Sequence, residues 1–234
     1  QVTGVIAGEF GKNEDGKPGP MYEPGMKVNG KYIFLGEGVR GSLSKQVISK
    51  YDLAKESDVP KYGIGMKEVW EINPKNHKEG QVLHTMGWPL GNAVGGGSFV
   101  YHAENHHLYL GFVVHLNYTN PFLFPYKEFQ RFKHHPMIKN LLKGGKRIEY
   151  GARAISEGGL QSIPKICFPG GVLLGCSAGL VNVPRIKGNH NAILSGISAA
   201  QAAYEALQSG RSNDELDNYE VRIKSGAVFH DLSP

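Results

Sequence analysis

Three glycine-rich segments have the residue types of loops that contact a ligand through their backbone. The longest segment, Gly170–Ala203, begins with a short apolar run and ends in an Ala- and Leu-rich stretch with helical spacing, residues 191–207. This pattern predicts a strand, a loop and a helix. Gly175 and Gly179 allow a ligand to come close, because glycine has no Cβ and can adopt a positive φ. The loop amides and the helix start would favour a phosphate or an anionic ring, although an ordinary strand-to-helix turn has the same pattern.

Two further glycine segments have a weaker signal. Gly36–Gly41 has G-x-G-x-x-G spacing between an apolar run and a helix that begins near Ser42. By itself this spacing is compatible with a structural turn or a ligand contact. Three consecutive glycines, Gly95–Gly97, precede an aromatic strand, so that backbone groups could face a bulky ring. A flexible hairpin tip is the alternative.

No set of side chains has the spacing of a catalytic triad, a carboxylate pair or a metal site. His102, His106 and His107 are close in sequence, but only Glu104 could orient them, so we interpret them as surface or hydrogen-bonding histidines. The two cysteines, Cys167 and Cys176, are too few for an iron–sulfur cluster with four ligands. We therefore predict no catalytic side chain and no metal ligand in this chain.

Composition limits the class of protein. The chain has 234 residues, enough for one large domain or two interleaved ones, and its 40% apolar and 10% aromatic residues argue against disorder. The net charge of +5 comes from scattered basic residues, so we expect no nucleic-acid partner. No stretch reaches the roughly 18–20 apolar residues that cross a bilayer, although the chain could lie on one. Because the sequence begins with Gln1, we expect an internal piece of a longer protein.

The rest of the chain has a clear order of elements. Residues 1–31 have the pattern of a β-hairpin or meander, and residues 61–116 have the alternation of about four antiparallel strands. Residues 125–133 predict an amphipathic helix that buries Phe129 and Phe132 and is stopped by Pro136. Two more strands are predicted on either side of Glu157 within residues 144–164.

Four long motifs resemble one family. Residues 173–190, L-L-G-C-S-A-G-L-V-N-V-P-R-I-K-G-N-H, are similar to the flavin-contacting loop of the electron-transfer flavoprotein:ubiquinone oxidoreductases. Ala178, Arg185 and Asn189 replace the family's Pro, Lys and Ser or Thr, which keeps the size and charge of the loop. The other motifs are G-W-P-L…G-G-S-F-V-Y-H within residues 87–102, N-P-F-L-F-P-Y-K-E-F-Q-R-F-K-H-H-P at 120–136 and E-G-G-L-Q-S-I-P at 157–164.

The resemblance implies an α/β fold of mixed α+β type. It consists of part of a glutathione-reductase-like FAD Rossmann domain with an inserted antiparallel β-sheet domain for the substrate ubiquinone. The implied organisation is an FAD-domain portion at 1–60, the ubiquinone-binding domain at 61–165, an FAD-domain strand, loop and helix at 166–207, and a tail at 208–234 without a counterpart.

The resemblance also implies the site residues and cofactors. FAD is expected at seven residues, and ubiquinone is expected at Gly96 and Gly97. The seven FAD residues are Gly175, Cys176, Ser177, Gly179, Asn182, Gly38 and Gly41. A [4Fe–4S] cluster is expected in a C-terminal part outside this chain.

The implied function is electron transfer from reduced electron-transfer flavoprotein through FAD and the cluster to ubiquinone. The expected partners are electron-transfer flavoprotein, ubiquinone and the surface of a membrane. The expected location is the matrix face of the mitochondrial inner membrane, or the inner membrane of a bacterium. Without an N-terminal dinucleotide fingerprint and the cluster cysteines, the piece alone is expected to be inactive. A related FAD monooxygenase or reductase with a nicotinamide donor, and a truncated non-catalytic remnant, are the alternatives.

Overall fold

The structure, a computed structural model, describes residues 1–233 and contains twelve strands and six helices in that range. The strands are β1 Gly4–Ala7, β2 Phe10–Lys12, β3 Pro18–Glu23, β4 Met26–Asn29, β5 Ile33–Leu35, β6 Tyr62–Glu71, β7 Val82–Met86, β8 Gly96–His102, β9 His107–His115, β10 Lys146–Ser156, β11 Cys167–Phe168 and β12 Gly171–Leu173. The helices are α1 Ser42–Lys50, α2 Pro125–Lys133, α3 Pro136–Leu142, α4 Asn189–Gln208, α5 Asp217–Ser225 and α6 Ala227–Leu232.

The chain divides into two compact units. Unit 1 consists of Gln1–Val59 and Gly158–Pro234, and unit 2 is the continuous segment Pro60–Glu157. The sequence of unit 2 is therefore inserted between the two segments of unit 1. The observed insertion ends at Glu157, before the predicted boundary at residue 165.

Unit 1 contains a small sheet with one parallel pair. Strands β1 and β4 form one antiparallel pair and β2 and β3 another, as expected for a meander. The three-stranded sheet has the order β11-β12-β5, in which β12 is parallel to β5 and antiparallel to β11. A parallel pair requires a long connection between its strands, and unit 2 is inserted into that connection.

The core of unit 1 includes side chains from residues 208–233, part of the tail for which the sequence predicts no counterpart in the family. Helix α4 is rich in alanine on its buried side, and these alanines belong to the same buried cluster as Leu173. Helices α5 and α6 contribute Tyr219, Ile223 and Val228 to the same buried cluster as Leu173. The Tyr219 hydroxyl donates a hydrogen bond of 2.9 Å to the carbonyl of Leu173. The segment is thus an integral part of unit 1.

Unit 2 is a five-stranded antiparallel sheet with two helices. The strand order is β10-β6-β9-β8-β7. The four predicted strands are present, and β10 joins them at the edge. The second strand predicted after Glu157 is wrong: those residues form a 3₁₀ turn at Leu160–Ser162. Pro136 lies beyond the end of α2 and is the first residue of α3.

Helix α2 packs on the sheet through aromatic side chains and a buried ion network. Phe129 and Phe132 are buried, as predicted, and stack on Phe112 with ring centroids 6.0 and 5.5 Å apart. The carboxylate of Glu68 is buried beneath them and accepts bonds of 2.9 Å from Lys133. Arg147 lies 3.2 Å from the same carboxylate. The positive charges of Lys133 and Arg147 thus compensate the negative charge of Glu68, which is costly to bury without a partner.

The contribution of the C-terminal helices can be tested at Tyr219. We expect Tyr219→Ala to lower the free energy of unfolding by about 3–5 kcal/mol, because a fully buried aromatic ring leaves a cavity in the core. Urea unfolding followed by circular dichroism measures this change. Tyr204→Ala is the matched control, since Tyr204 is 64% exposed on α4. Equal unfolding midpoints for the two variants would contradict the assignment of residues 208–233 to this core.

Candidate functional site

The parallel pairing of β5 and β12 places two glycine loops at one edge of the sheet. The carboxyl ends of parallel strands meet at the same edge, which is where open α/β sheets bind their ligands. Leu174 donates its amide to the carbonyl of Leu35 at 3.0 Å, which holds the two strand ends together. Just beyond them, the Ser177 hydroxyl donates to the carbonyl of Gly38 at 3.0 Å. The structure therefore brings together Gly38 and Ser177, two predicted site residues that are distant in sequence.

The first part of the longer loop satisfies its own polar groups. Residues Gly175–Ser177 form a 3₁₀ turn after β12. The amide of Gly175 donates to the Ser195 hydroxyl at 3.1 Å, and that hydroxyl donates to the carbonyl of Ala192. The amides of residues 177–180 also donate to carbonyl oxygens within the segment Leu174–Cys176. The expectation that these amides bind an anion is therefore wrong for this geometry.

Gly38 and Gly179 present open backbone surfaces at this edge. Both have positive φ values, +85° and +79°, which favour glycine. No atom of the described residues lies within 4 Å of the position that a Cβ would occupy at either residue. A flat ring can contact a backbone at such positions without steric conflict. Gly41 has a negative φ and is not open in this way, because a Cβ there would collide with the side chain of Glu37. The Glu37 carboxylate accepts a 2.7 Å bond from the amide of Ser44 at the start of α1.

The remaining predicted residues of the loop differ in their surroundings. Cys176 is half-buried beside Ser177, whereas Asn182 is buried and uses its side chain within the protein. The Asn182 amide donates to the carbonyl and the carboxylate of Asp231 at 2.7 and 3.0 Å. Its side-chain oxygen accepts from the amide of Arg185 at 3.0 Å. The structure therefore shows Asn182 closing the end of the loop against α6.

Asp231 binds four side chains around the loop, and the sequence analysis did not identify it. The carboxylate contacts Arg185 at 2.8 Å, His190 at 2.8 Å, and Asn182 and Asn191 at 3.0 Å each. The hydrogen bond from His190, followed by that from Asn182, lowers the pKa of Asp231 to about 2. No motif marks this residue, because its role depends on how α6 packs against a loop that lies far away in sequence.

The two predicted quinone residues lie inside a strand. Gly96 is the first residue of β8 and is paired with Val114 of β9, and Gly97 is paired with Met86 of β7. A Cβ at Gly96 would lie 2.7 Å from the Leu90 side chain, and one at Gly97 would lie 2.6 Å from the carbonyl of Thr85. Close packing between strands thus accounts for both glycines, and only Gly95 lies in the turn that was predicted for all three.

Residues 1–233 contain neither a group of metal ligands nor a helix that could span a membrane. No group of three or more His, Cys, Asp or Glu side chains in this range could hold a metal ion. His102 is buried and accepts a bond of 3.2 Å from the amide of Lys78, in agreement with a hydrogen-bonding role. Burial raises the pKa of Cys167 to about 12, and its thiol donates to the carbonyl of Leu216. Every helix described in this range is too short or too polar to cross a bilayer.

The four contacts of Asp231 predict a measurable contribution to stability. We expect Asp231→Asn to lower the free energy of unfolding by about 2 kcal/mol, because charge-assisted bonds from Arg185 and His190 are lost. The pKa of Asp231 lies below its ordinary value of 3.8. The difference in free energy of unfolding between wild type and the variant is therefore fully present above about pH 4, and it is lost as the pH falls towards 2. Urea titrations at several pH values test this, with the exposed Asp58→Asn as control. An advantage that persists at pH 2 would contradict it.

Comparisons with known proteins identify relatives for the whole chain. Residues 62–155 match the family model described as "ETF-QO, ubiquinone-binding". The electron transfer flavoprotein-ubiquinone oxidoreductase of Pseudomonas aeruginosa is 49% identical over 233 residues, which is 99% of this chain and 42% of that protein. The mitochondrial protein of the same name from Arabidopsis thaliana is 50% identical over 234 residues, 99% of this chain and 36% of that protein. These alignments also extend over most of residues 208–234.

Solved structures with the same fold are flavoenzymes. A geranylgeranyl bacteriochlorophyll reductase-like protein from Thermoplasma acidophilum has a TM-score of 0.62 at 22% identity, over 86% of this chain and 47% of that one. A halogenase in complex with FAD has a TM-score of 0.57 at 16% identity, over 90% of this chain and 42% of that one. They show a glutathione-reductase-like FAD fold, as predicted. The chain spans about two fifths of the length of the sequence relatives, and over that span it is similar to electron transfer flavoprotein-ubiquinone oxidoreductases.

Proposed function

We propose that this chain forms part of an oxidoreductase that passes electrons from reduced electron-transfer flavoprotein through FAD to ubiquinone. The observation that carries the proposal is the presence of two kinds of unit in one chain. Unit 1 has the fold of FAD enzymes, and residues 62–155 of unit 2 match a ubiquinone-binding family model. The names of the curated relatives support both the donor and the acceptor.

FAD is proposed to lie at the edge of the unit 1 sheet, where it would take up electrons and pass them on. The residues present fit a flat ring, because the backbone at Gly38 and Gly179 is open on one side. The other residues proposed for this site are Gly175, Cys176, Ser177, Asn182 and Gly41. Gly175 and Asn182 would act by shaping the loop, since their polar groups are bonded within the protein.

Ubiquinone is proposed to bind at Gly96 and Gly97, next to the turn that contains Gly95. A [4Fe–4S] cluster, which the family resemblance implies, does not fit the described residues of this chain, because they contain two cysteines and no metal-ligand group. It is proposed for another part of the protein. No side chain of this chain is assigned a step that passes through the cluster.

Unit 2 is proposed to contact the membrane surface that holds ubiquinone. Several large apolar side chains of this unit are exposed. Phe122 is 92% exposed and Met86 is 85% exposed, and Phe124 and Trp88 are also exposed. Such groups can enter the interfacial region of a bilayer without spanning it. The proposed location is the matrix face of the mitochondrial inner membrane, or the bacterial inner membrane, which the mitochondrial relatives support in part.

Flavin binding can be tested at Gly179. Asparagine tolerates the positive φ better than other side chains, so Gly179→Asn preserves the loop while it adds a side chain on the open surface. We expect the full-length protein with this change to bind FAD at least about tenfold more weakly, a loss of ~1.4 kcal/mol or more. Gly210→Asn is the matched control, because Gly210 has a similar φ and an equally open Cβ position. Equal FAD affinity of the two variants, measured by titration calorimetry, would contradict the site.

The reaction is tested with the full-length, flavin-loaded protein and a short-chain ubiquinone. We expect reduced electron-transfer flavoprotein to support ubiquinol formation, followed by ultraviolet absorbance, and NADH or NADPH to support none. Activity with a nicotinamide donor alone would favour a reductase or monooxygenase. A protein that binds FAD but uses neither donor would favour a non-catalytic remnant.

A further inference from the structure

A buried carboxylate and a histidine meet at one end of the unit 2 sheet. Glu157 directly follows β10, and its side chain is only 6% exposed. The Oε2 atom of Glu157 has no hydrogen-bond partner among the described residues. It lies 3.3 Å from the Nε2 atom of His115, the last residue of β9, whose side chain is 33% exposed. A buried, unsatisfied carboxyl group costs stability, which favours a functional reason for its presence.

Two glycines provide the space for this pair. A Cβ at Gly63 would lie 2.5 Å from the Oε1 atom of Glu157, and one at Gly95 would lie 2.5 Å from the Nδ1 atom of His115. The His115 amide also donates to the carbonyl of Gly95 at 3.0 Å. One imidazole nitrogen thus faces the carboxyl group, and the other faces the glycine turn. That turn immediately precedes Gly96 and Gly97.

The charge state of the pair suits proton transfer. Burial raises the pKa of Glu157 to about 7. Burial, followed by the positive charge of Lys61, lowers the pKa of His115. Lys61 is held close because its carbonyl accepts the amide of Glu157 at 2.7 Å. Near pH 7 about half of the Glu157 carboxyl groups therefore hold a proton, and the lowered pKa of His115 favours a neutral imidazole beside them. This is the arrangement of a proton donor and a relay rather than of a stable ion pair.

On the basis of the proposed quinone reduction, we propose that Glu157 and His115 relay a proton to the carbonyl oxygen of a quinone bound beside Gly95–Gly97. Ubiquinone takes up two electrons from the reduced flavin and two protons, and its two C=O groups become two C–OH groups. His115 gives its Nδ1 proton to the nearer oxygen while Nε2 receives the proton of Glu157. Water then reprotonates Glu157, and solvent supplies the proton for the second oxygen.

If the relay operates, loss of either residue should slow the reduction of ubiquinone, which takes up protons. It should not slow the reduction of an acceptor that takes up none. We expect Glu157→Gln and His115→Gln, in the full-length flavin-loaded protein, to lower ubiquinol formation by about 100-fold or more. Ferricyanide reduction, which needs no proton, should stay within about twofold of wild type. The ionisation near pH 7 in the quinone rate profile should disappear. Glu149→Gln, an exposed carboxylate on β10, is the matched control and should change neither rate.

The outcomes of this experiment distinguish a failure of the proton relay from a failure of the proposed quinone reduction. Wild-type quinone rates and pH profiles in both variants would overturn the relay and leave the proposed function intact. A wild-type protein that reduces ferricyanide but not ubiquinone would overturn the proposed function, and the relay with it. If Glu157→Gln also loses ferricyanide reduction, the more exposed His115→Gln becomes the deciding variant. Loss of both activities in both variants would overturn the relay, because the pair would then be structural.

The protonation state of Glu157 gives a second readout that does not depend on activity. The infrared C=O band of a protonated carboxylic acid is measured against pH in wild type and in Glu157→Gln. We expect a band that disappears near pH 7 in wild type and is missing from the variant. A wild-type carboxyl group that is fully ionised by pH 5 would overturn the relay, whatever the rates show.

Discussion

The candidate flavin site depends on the parallel pairing of β5 with β12. Ile33, Phe34 and Leu35 are opposite Gly171, Val172 and Leu173 in register, so both strands end together and both loops leave from the same edge. In a sheet, a shift by one residue would turn every side chain to the other face. It would also separate Ser177 from the carbonyl of Gly38. The two loops form one surface only because this register is kept.

The surface that results is made of backbone rather than of polar side chains. The amides at the start of the longer loop are used within the protein, and the open positions are the Cα atoms of Gly38 and Gly179. The loop is held in place by hydrogen bonds to Asp231 of α6, and Tyr219 of α5 packs in the core of the same unit. A site with its own polar groups satisfied is rigid before a ligand binds, and this lowers the entropy lost on binding. The segment 208–233 therefore contributes to the site without needing to touch the ligand.

Two buried carboxylates of unit 2, Glu68 and Glu157, have opposite surroundings. Glu68 is held between Lys133 and Arg147 and also accepts a bond from the Trp70 indole, so its charge is compensated. The carboxyl group of Glu157 has the imidazole of His115 nearby, but its Oε2 atom has no hydrogen bond within the described residues, and burial raises its pKa. The first arrangement links two strands and a helix, whereas the second favours the protonated carboxyl group that the proposed relay requires. The contrast within one sheet is the physical basis for assigning them different roles.

The sequence by itself determined the elements with a strong local pattern and the resemblance to a family. The alternation in residues 62–116, the aromatic face of α2 and the strand, loop and helix around Gly175 are signals of short range, because side-chain periodicity reflects neighbouring residues. The long motifs sufficed to identify the relatives and the likeness to FAD enzymes. By contrast, the glycine run at 95–97 was predicted as a turn, although Gly96 and Gly97 pair inside β8. Only the contacts across three strands reveal this.

Tertiary structure alone decided the partners that are far apart along the chain. Asp231 meets Asn182, and Glu157 meets His115, through folding that no local pattern describes. The same holds for the burial of Tyr219 in a segment whose polar composition predicted little. A pKa depends on burial and on neighbours from other elements. The sequence therefore shows which residues are carboxylates but not which of them have a shifted pKa. Local chemistry sets the elements, and the packing between them decides which side chains share a proton or a charge.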